Sequence, residues 1–365
     1  MPLFDAYVMV DWSGRNGRAC GRSDCIWIAH GPATATAPET TSPPSRTEAE
    51  AVIRSVLQRC VASARGRVLV GADFAYGYPA GFASLLRAAG AGDPPPWRVV
   101  WQFLTSKLRD DLGTSPGRRP TNVSNRFEVA DAINASAANG RQNGPFWCLH
   151  EAGKYPHIPQ ARPAQPFAAR TARIAGWRMA DTVAGSDTPF RLFGTGSVGS
   201  QALTGIPRLE SLRSDPQLSR HSLVWPFETG WAWRTGSWLD RGARILHAEI
   251  YPSVRAPLPD TVKDRGQVRA MWHWARDLDA RERLVDELSI PPGVVAGAPE
   301  DVTIRTEEGW ILGAPRHAET PRPGTAGEGP VRRPASPRSG RTPRAGRRRS
   351  PRAWRGPSPA RSSSA

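Results

Sequence analysis

The sequence has few cysteines and no long apolar run. Its four cysteines, Cys20, Cys25, Cys60 and Cys148, form no Cys-x-x-Cys pair and no zinc-ligand spacing with the seven histidines. We therefore expect reduced thiols in a cytoplasmic protein rather than a disulfide scaffold or a zinc site. No charged segment followed by an apolar one opens the chain, and no apolar run reaches about 18 residues. The sequence thus predicts neither secretion nor contact with a membrane.

Acidic residues are nearly absent from the C-terminal part of the chain. Residues 314–365 contain 13 arginines and 2 glutamates, and this segment therefore accounts for +11 of the formal net charge of +16. This tail, 314–365, is rich in Pro, Arg, Ser and Gly, and it is predicted to be disordered because it buries too little apolar surface to offset the entropy of ordering. A nucleic-acid-binding arm and an artefact of reading GC-rich DNA out of frame explain its composition equally well. The body, 1–313, is long enough for a hydrophobic core.

Three apolar stretches in the body each end in an acidic residue and are followed by a chain-breaking segment. The stretches are 6–11, 67–73 and 244–249, and their last residues are Asp11, Asp73 and Glu249. Short apolar runs predict buried strands, in which an unpaired carboxylate is costly except at the strand end. Ligands of open α/β sheets bind outside the carboxyl ends of the strands. We therefore expect the three acids to lie together, on one face of this edge.

Carboxylates at neighbouring strand ends can hold divalent cations. Neighbouring strands lie about 4.8 Å apart, and two-metal sites place their ions about 3.5–4 Å apart. Mg²⁺ prefers oxygen ligands together with substrate phosphates, and it needs neither histidine nor cysteine. We predict that Asp11, Asp73 and Glu249 ligate Mg²⁺ or Mn²⁺, with an acid from the last helix completing the set. The alternative is that each acid caps its own turn or pairs with an arginine.

The segments between these acids predict a mixed α/β fold. The short spacing after Asp11 predicts an antiparallel hairpin with a second strand at 24–29. A capping pattern at Thr47, followed by apolar residues at helical spacing, predicts a helix that crosses over to the strand ending in Asp73. Residues 80–220 are predicted to be a largely helical insertion or accessory lobe.

Several motifs together resemble one protein family. They are Val-Met-Val-Asp-Trp-Ser at 8–13, Gly-Ala-Asp-Phe-Ala-Tyr-Gly-Tyr-Pro at 71–79, Val-Trp-Pro-Phe-Glu-Thr-Gly-Trp at 224–231, Glu-Ile-Tyr-Pro-Ser at 249–253 and Glu-Glu-Gly-Trp-Ile-Leu at 307–312. The chain is similar, over about 4–313, to an uncharacterised bacterial family of predicted nucleases with a ribonuclease H-like fold. The resemblance implies a ribonuclease H-like mixed sheet flanked by helices, with Asp11 on the first strand, Asp73 on the fourth and Glu249 on a late strand.

The resemblance also implies a fourth acid and an activity. The family places an Asp-Ala pair on a late helix, which matches Asp279 and Ala280, while Asp277 and Asp264 on the same helix are alternatives. The implied activity is divalent-metal-dependent hydrolysis of phosphodiester bonds in a nucleic acid or nucleotide. Two other functions stay open at this point: a non-catalytic nucleic-acid-binding or regulatory module of the same fold, and a small-molecule phosphotransferase.

Two further features indicate phosphate binding. Residues 194–199 spell Gly-x-Gly-x-x-Gly, but the strand that precedes a dinucleotide-binding turn is missing, so a glycine-rich turn entering a helix near a phosphate is the better interpretation. A basic region can also hold phosphates, and its cations are Lys107, Arg109, Arg118, Arg119 and Arg126. A solvated loop explains the same charges equally well.

Overall fold

The computed structural model describes residues 2–63, 66–87, 93–115, 117–138, 144–149, 153–169, 172–194, 196–231 and 242–315. Contacts divide the chain into two units, Met1–Arg322 and Pro323–Ala365, and every described residue lies in the first unit. Apart from its first two residues, the tail predicted to be disordered lies outside the described residues. None of the helices described is both long enough and apolar enough to span a bilayer.

The first part of the chain forms a hairpin and a crossover. Strand β1 (Ala6–Asp11) pairs antiparallel with β2 (Trp27–Pro32), which pairs antiparallel with the short β3 (Glu39–Thr41). Helix α1 (Arg46–Ala62) then leads to β4 (Val68–Asp73), which lies parallel to β1. The predicted hairpin and the predicted crossover helix are confirmed.

Helix α1 begins slightly earlier than its sequence pattern predicted. The cap is Ser45, whose hydroxyl oxygen accepts the amide of Glu48 at 3.2 Å. A serine at the cap satisfies one backbone donor of the first turn, and its hydroxyl also donates to Glu48 Oε2 at 2.7 Å. The pattern beginning at Thr47 therefore lies inside the helix.

The middle of the chain is mostly helical and contains a two-stranded ribbon. Its elements are α2 (Phe82–Leu86), α3 (Pro96–Lys107), α4 (Arg126–Ala137), β5 (Phe167–Ala168), β6 (Arg173–Ile174), α5 (Met179–Ala184) and α6 (Gly199–Arg213). Apolar residues of α3, α4 and α6 belong to the same buried cluster as residues of the main sheet. This segment therefore shares the core of the sheet.

The last part of the chain completes the sheet and covers its second face. Its elements are β7 (Ser222–Val224), β8 (Ile245–Ile250), α7 (Lys263–Ala280), α8 (Leu284–Glu287), α9 (Pro299–Thr303), a π-helical turn (Ile304–Glu308) and β9 (Ile311–Leu312). The seven-stranded sheet has the order β3-β2-β1-β4-β8-β7, and β9 also pairs with β8. The pairs β1–β4, β4–β8, β7–β8 and β8–β9 are parallel. The fold is a mixed α/β sheet, mostly parallel and flanked by helices.

Successive residues of β1 alternate between two apolar layers. Val8 and Val10 pack in the cluster that contains α1, α3 and α6, and we call this side the α6 face. Tyr7 and Met9 pack in the cluster that contains α7, and we call this side the α7 face. Because side chains of a strand point alternately to opposite faces, Asp11 projects to the α7 face.

Candidate functional site

Asp11 and Asp73 form a pair at the carboxyl edge of the sheet. Strands β1 and β4 run parallel with Asp11 directly beside Asp73, and each acid is the last residue of its strand. Residues paired in this way project to the same face, and their strands lie about 4.8 Å apart. The structure therefore brings these two predicted site residues together on the α7 face.

Among the described residues, the pair has no basic partner. Asp11 is only 9% exposed, and burial raises the pKa of its carboxyl group well above the usual value, with Asp73 and Asp264 raising it further. Burial also raises the pKa of Asp73, to which Glu249 and Asp264 add. Across the part of the chain that the structure describes, neither carboxylate receives a hydrogen bond or an ion pair. Each carboxyl group thus disfavours ionisation of the other, and an opposite charge bound between them would favour the ionised forms.

Helix α7 brings a third acid to the pair and a loop brings a fourth. The first turn of α7 contains Asp264, whose Oδ2 accepts the amide of Asp24 at 2.8 Å. Asp24 lies in the loop between β1 and β2, where its carbonyl accepts the Ser13 hydroxyl at 2.8 Å. Burial raises the pKa of Asp264 as well. Asp264, one of the sequence alternatives for the fourth acid, thus lies near Asp11.

Sequence reasoning missed Asp24, which we group with Asp11, Asp73 and Asp264 as the acidic cluster. Asp24 contributes to the raised pKa of Asp11. Its position in the sequence could have identified it. Asp24 lies at the far end of the hairpin loop that follows Asp11, and a hairpin returns to the sheet edge that it leaves. Lys263, which precedes Asp264, is the one cation among the main influences on the pKa of Asp11.

Glu249 reaches the same edge but projects to the opposite face. It pairs with Ala72, one residue before Asp73, so the alternation of the strand directs its side chain away from the α7 face. Arg178 donates to both of its carboxylate oxygens at 2.7 Å, and the amide of Tyr76 donates to Oε2 at 2.9 Å. The prediction that Glu249 is a metal ligand is therefore corrected, because Arg178 occupies its carboxylate.

Asp279 lies at the other end of the sheet. Its carboxylate accepts the hydroxyl of Tyr7 at 2.7 Å and two backbone amides of the N-terminal segment at 2.8 and 2.9 Å. Tyr7 precedes Asp11 by four residues in β1, which is about 13 Å along a strand. Helix α7 thus runs antiparallel to β1, with Asp264 at the acidic edge and Asp279 at the far edge. The prediction that Asp279 completes the metal site is wrong.

The donor set of the Asp11–Asp73 pair suits a divalent cation. Among the described residues, no group of three or more His, Cys, Asp or Glu side chains is arranged to hold a metal ion. Mg²⁺ is commonly held by only one or two carboxylates together with waters and substrate phosphates. Two carboxylates in register, of which Asp11 is buried and Asp73 partly exposed, lack a basic partner among the described residues and supply that set of oxygens.

Comparison with other proteins identifies no relative of this chain. No protein family, no curated protein and no solved structure matches it. The resemblance to ribonuclease H-like nucleases therefore stays a prediction from the motifs, and the geometry of the acidic cluster is the basis for a function.

The acidic cluster leads to a specific pH dependence of stability. Burial and its acidic neighbours raise the pKa of Asp73 from 3.8 to about 8. Between these values the folded protein binds more protons than the unfolded chain, so this group lowers the free energy of unfolding progressively as the pH rises from about 4 to about 8. In EDTA, we expect Asp73→Asn to gain stability over the wild type at pH 8 and little at pH 5, measured by urea denaturation. A constant difference between the two proteins across this range would contradict the raised pKa.

Proposed function

We propose that this protein is a divalent-metal-dependent phosphodiester hydrolase that acts on a nucleic acid or nucleotide. The observation that carries the proposal is the pair Asp11 and Asp73, which lie in register at the carboxyl edge of the sheet without a basic partner. The sheet is also compatible with the ribonuclease H-like fold that the motifs predict, since its antiparallel part, β3-β2-β1, continues into the parallel strands β4 and β8.

Asp11 and Asp73 would hold the metal ion in this proposal. When bound, Mg²⁺ or Mn²⁺ activates a water molecule and neutralises charge on the phosphate during hydrolysis. The backbone of Asp11 is held by strands on both sides, because β1 lies between β2 and β4, so the point from which its side chain projects is fixed. Asp73 is partly exposed and supplies the side of the pair that a substrate can reach.

The remaining acids have separate roles at this edge. Asp264 and Asp24 add negative potential beside Asp11, which raises the local concentration of cations. Glu249 holds the segment after Asp73 in place through the amide of Tyr76. Because the pKa values of Asp11 and Asp73 are raised, cation binding displaces a proton, and metal affinity should increase with pH.

Cleavage assays on the full-length protein test the proposal. Labelled single- and double-stranded RNA and DNA, incubated with the protein in Mg²⁺ or Mn²⁺, are expected to yield shorter fragments on denaturing gels, and EDTA should abolish their formation. Cleavage that persists in EDTA would contradict the role of the cation. Binding of these nucleic acids without cleavage in either metal would contradict hydrolysis and favour a non-catalytic binding module, and transfer of phosphate between small molecules would favour a phosphotransferase.

A further inference from the structure

Arg126 is a buried cation without an acidic partner. It is the first residue of α4 and only 6% exposed. Its Nε donates to the Ser200 hydroxyl at 3.1 Å, and its Nη1 donates to Asn16 Oδ1 at 2.5 Å and to the Ser124 hydroxyl at 2.9 Å. Within the described residues, no carboxylate forms an ion pair with it. All of its polar contacts are therefore neutral.

The fold pairs its other deeply buried arginines. Arg46 bonds both carboxylate oxygens of Asp110, and Arg178 bonds Asp181 and Glu249. Burial of a charge is costly unless an opposite charge accompanies it. For Arg126, burial and the nearby Arg46 lower the pKa to about 10, although Asp110 and Glu128, which form no ion pair with it, offset part of this effect. An anionic ligand would supply the missing charge.

The free edge of this guanidinium faces the start of helix α6. In a guanidinium group, Nε–H and one Nη2–H point in parallel and form a fork that matches two oxygens of an anion. The Nε–H of Arg126 points to Ser200, and Nη2 has no acceptor among the described residues and is not sealed from solvent. The unoccupied half of the fork therefore points toward the first turn of α6.

The first turn of α6 offers further donors. The helix has 15 residues, no acidic residue in its first turn and no side-chain cap at Val198. The amides of Ser200 and Gln201 have no acceptor inside the helix because of their position, and none elsewhere in the described chain. The N-terminus of a helix carries partial positive charge and binds anions. A buried cation and an uncapped helix thus meet at Ser200.

This corner contacts the loop that follows Asp11. Gly14 packs so closely on the helix that a Cβ atom there would come within 2.7 Å of Ser200 Cβ. Asn16, which accepts from Arg126, follows Asp11 by five residues. The corner therefore lies near the sheet edge that carries the acidic cluster, on the side of α6, and no more than about 17 Å of chain joins Asn16 to Asp11.

We propose that Nη2 of Arg126 and the first amides of α6 form a phosphate-binding subsite near the edge of the sheet that carries the acidic cluster, with the Ser200 hydroxyl, which donates to the Leu192 carbonyl, positioning the guanidinium. Its assignment to a substrate rests on the proposed hydrolase function, whereas binding of the anion itself needs no metal. Phosphates recur every few ångströms along a nucleic-acid strand, so a strand cut at Asp11 and Asp73 can place another of its phosphates here. A nucleoside monophosphate shares the same chemistry, so it serves as a second probe.

Calorimetric titration of inorganic phosphate into the full-length protein in EDTA tests the subsite directly. We expect wild-type protein to bind phosphate and Arg126→Gln to bind it about tenfold or more weakly, because charge-assisted hydrogen bonds to the anion are lost. Arg98→Gln is the matched control, since Arg98 is already paired with Glu210, and it should bind as the wild type does. No detectable binding to folded wild-type protein would overturn the proposal.

Two further variants keep the test decisive. Arg126→Lys retains the charge but lacks the fork, so it should fold even where Arg126→Gln does not and should bind phosphate more weakly than the wild type. Equal affinity of the folded lysine and wild-type proteins would overturn the proposed geometry. Asp11→Asn should bind phosphate as the wild type does in EDTA. This result separates failure of the subsite from failure of the metal proposal.

Two organic probes distinguish the sources of the phosphate. A short single-stranded oligonucleotide and adenosine monophosphate are each titrated into wild type and Arg126→Gln in EDTA. Weaker binding of the oligonucleotide by the variant would support a strand as the source, and weaker binding of the monophosphate alone would support a nucleotide. Unchanged affinity for both probes would overturn the subsite as part of a substrate site.

Discussion

Asp11→Asn is expected to lower the rate of metal-dependent cleavage about a thousandfold or more. The substitution removes the charge of one of the two carboxylates that would hold the cation. A catalytic metal supplies several kcal/mol of transition-state stabilisation. The same variant should be more stable than the wild type in EDTA, because it ends the repulsion between Asp11 and Asp73 in a buried site. Cleavage rates and thermal unfolding, measured on one preparation, check both effects.

The matched control for this variant is Asp277→Asn. Asp277 lies on α7, its side chain is 47% exposed, and it pairs with Arg276. Surface pairs of this kind contribute little, so we expect neither the cleavage rate nor the unfolding temperature to change appreciably. Full activity in Asp11→Asn would remove the acidic pair from the mechanism. A loss of stability in that variant would show that Asp11 has a structural partner.

Arg178→Met is expected to destabilise the protein by about 3–5 kcal/mol, a large share of the total stability of a typical domain. Arg178 is 1% exposed and bonds the carboxylates of Asp181 and Glu249 as well as the carbonyl of Glu308. Its removal leaves two buried carboxylates without a counter-charge. The loss should be smaller at pH 5 than at pH 8, because burial already raises the pKa of Glu249, and without Arg178 this carboxyl group protonates more readily.

Urea denaturation of Arg87→Met provides the comparison for Arg178→Met. Arg87 bonds Asp93, whose side chain is almost fully exposed, so this exposed pair should change the free energy of unfolding by no more than about 0.5 kcal/mol. Similar losses in both variants would show that burial of the ion pair does not determine its contribution.

The sequence predicted the strand-end acids well but not the direction of each side chain. A short apolar run that ends in a carboxylate identifies β1 and β4, since an unpaired charge is tolerated only where the strand ends. The register between strands depends on pairing across long sequence separations. An offset of one residue pairs Glu249 with Ala72 and reverses its face, which no local pattern encodes.

Helix α7 shows a second limit of sequence reasoning. The motif match selected Asp279, and periodicity placed Asp264 and Asp277 on the same helix. A helix of 18 residues spans about 27 Å, so acids at its two ends cannot serve one site. Which end meets the carboxyl edge of the sheet follows from the antiparallel packing of α7 on β1, and the sequence alone leaves that choice open.

The sequence indicated the two parts of the corner at Arg126 separately but not their contact. The basic region and the glycine-rich turn each indicated phosphate binding, but Arg126 and Ser200 are separated by 74 residues. Their contact depends on the packing of α4, α6 and the loop after Asp11. Composition identifies candidate cations, and tertiary structure decides which of them lacks a counter-charge.

The one-residue offset between Asp73 and Glu249 places these two acids on opposite faces of the same sheet edge. On one face, Glu249 pairs with Arg178 and accepts the amide of Tyr76, which holds the backbone that follows β4. On the other face, Asp11 and Asp73 have no basic partner among the described residues. Under the proposed function, substitution of Asp11 or Asp73 would abolish hydrolysis and leave the contacts of Arg178 and Glu249 intact, so the fold would remain. If both proposals hold, a variant without the acids would bind phosphate at Arg126 but would not hydrolyse phosphodiester bonds.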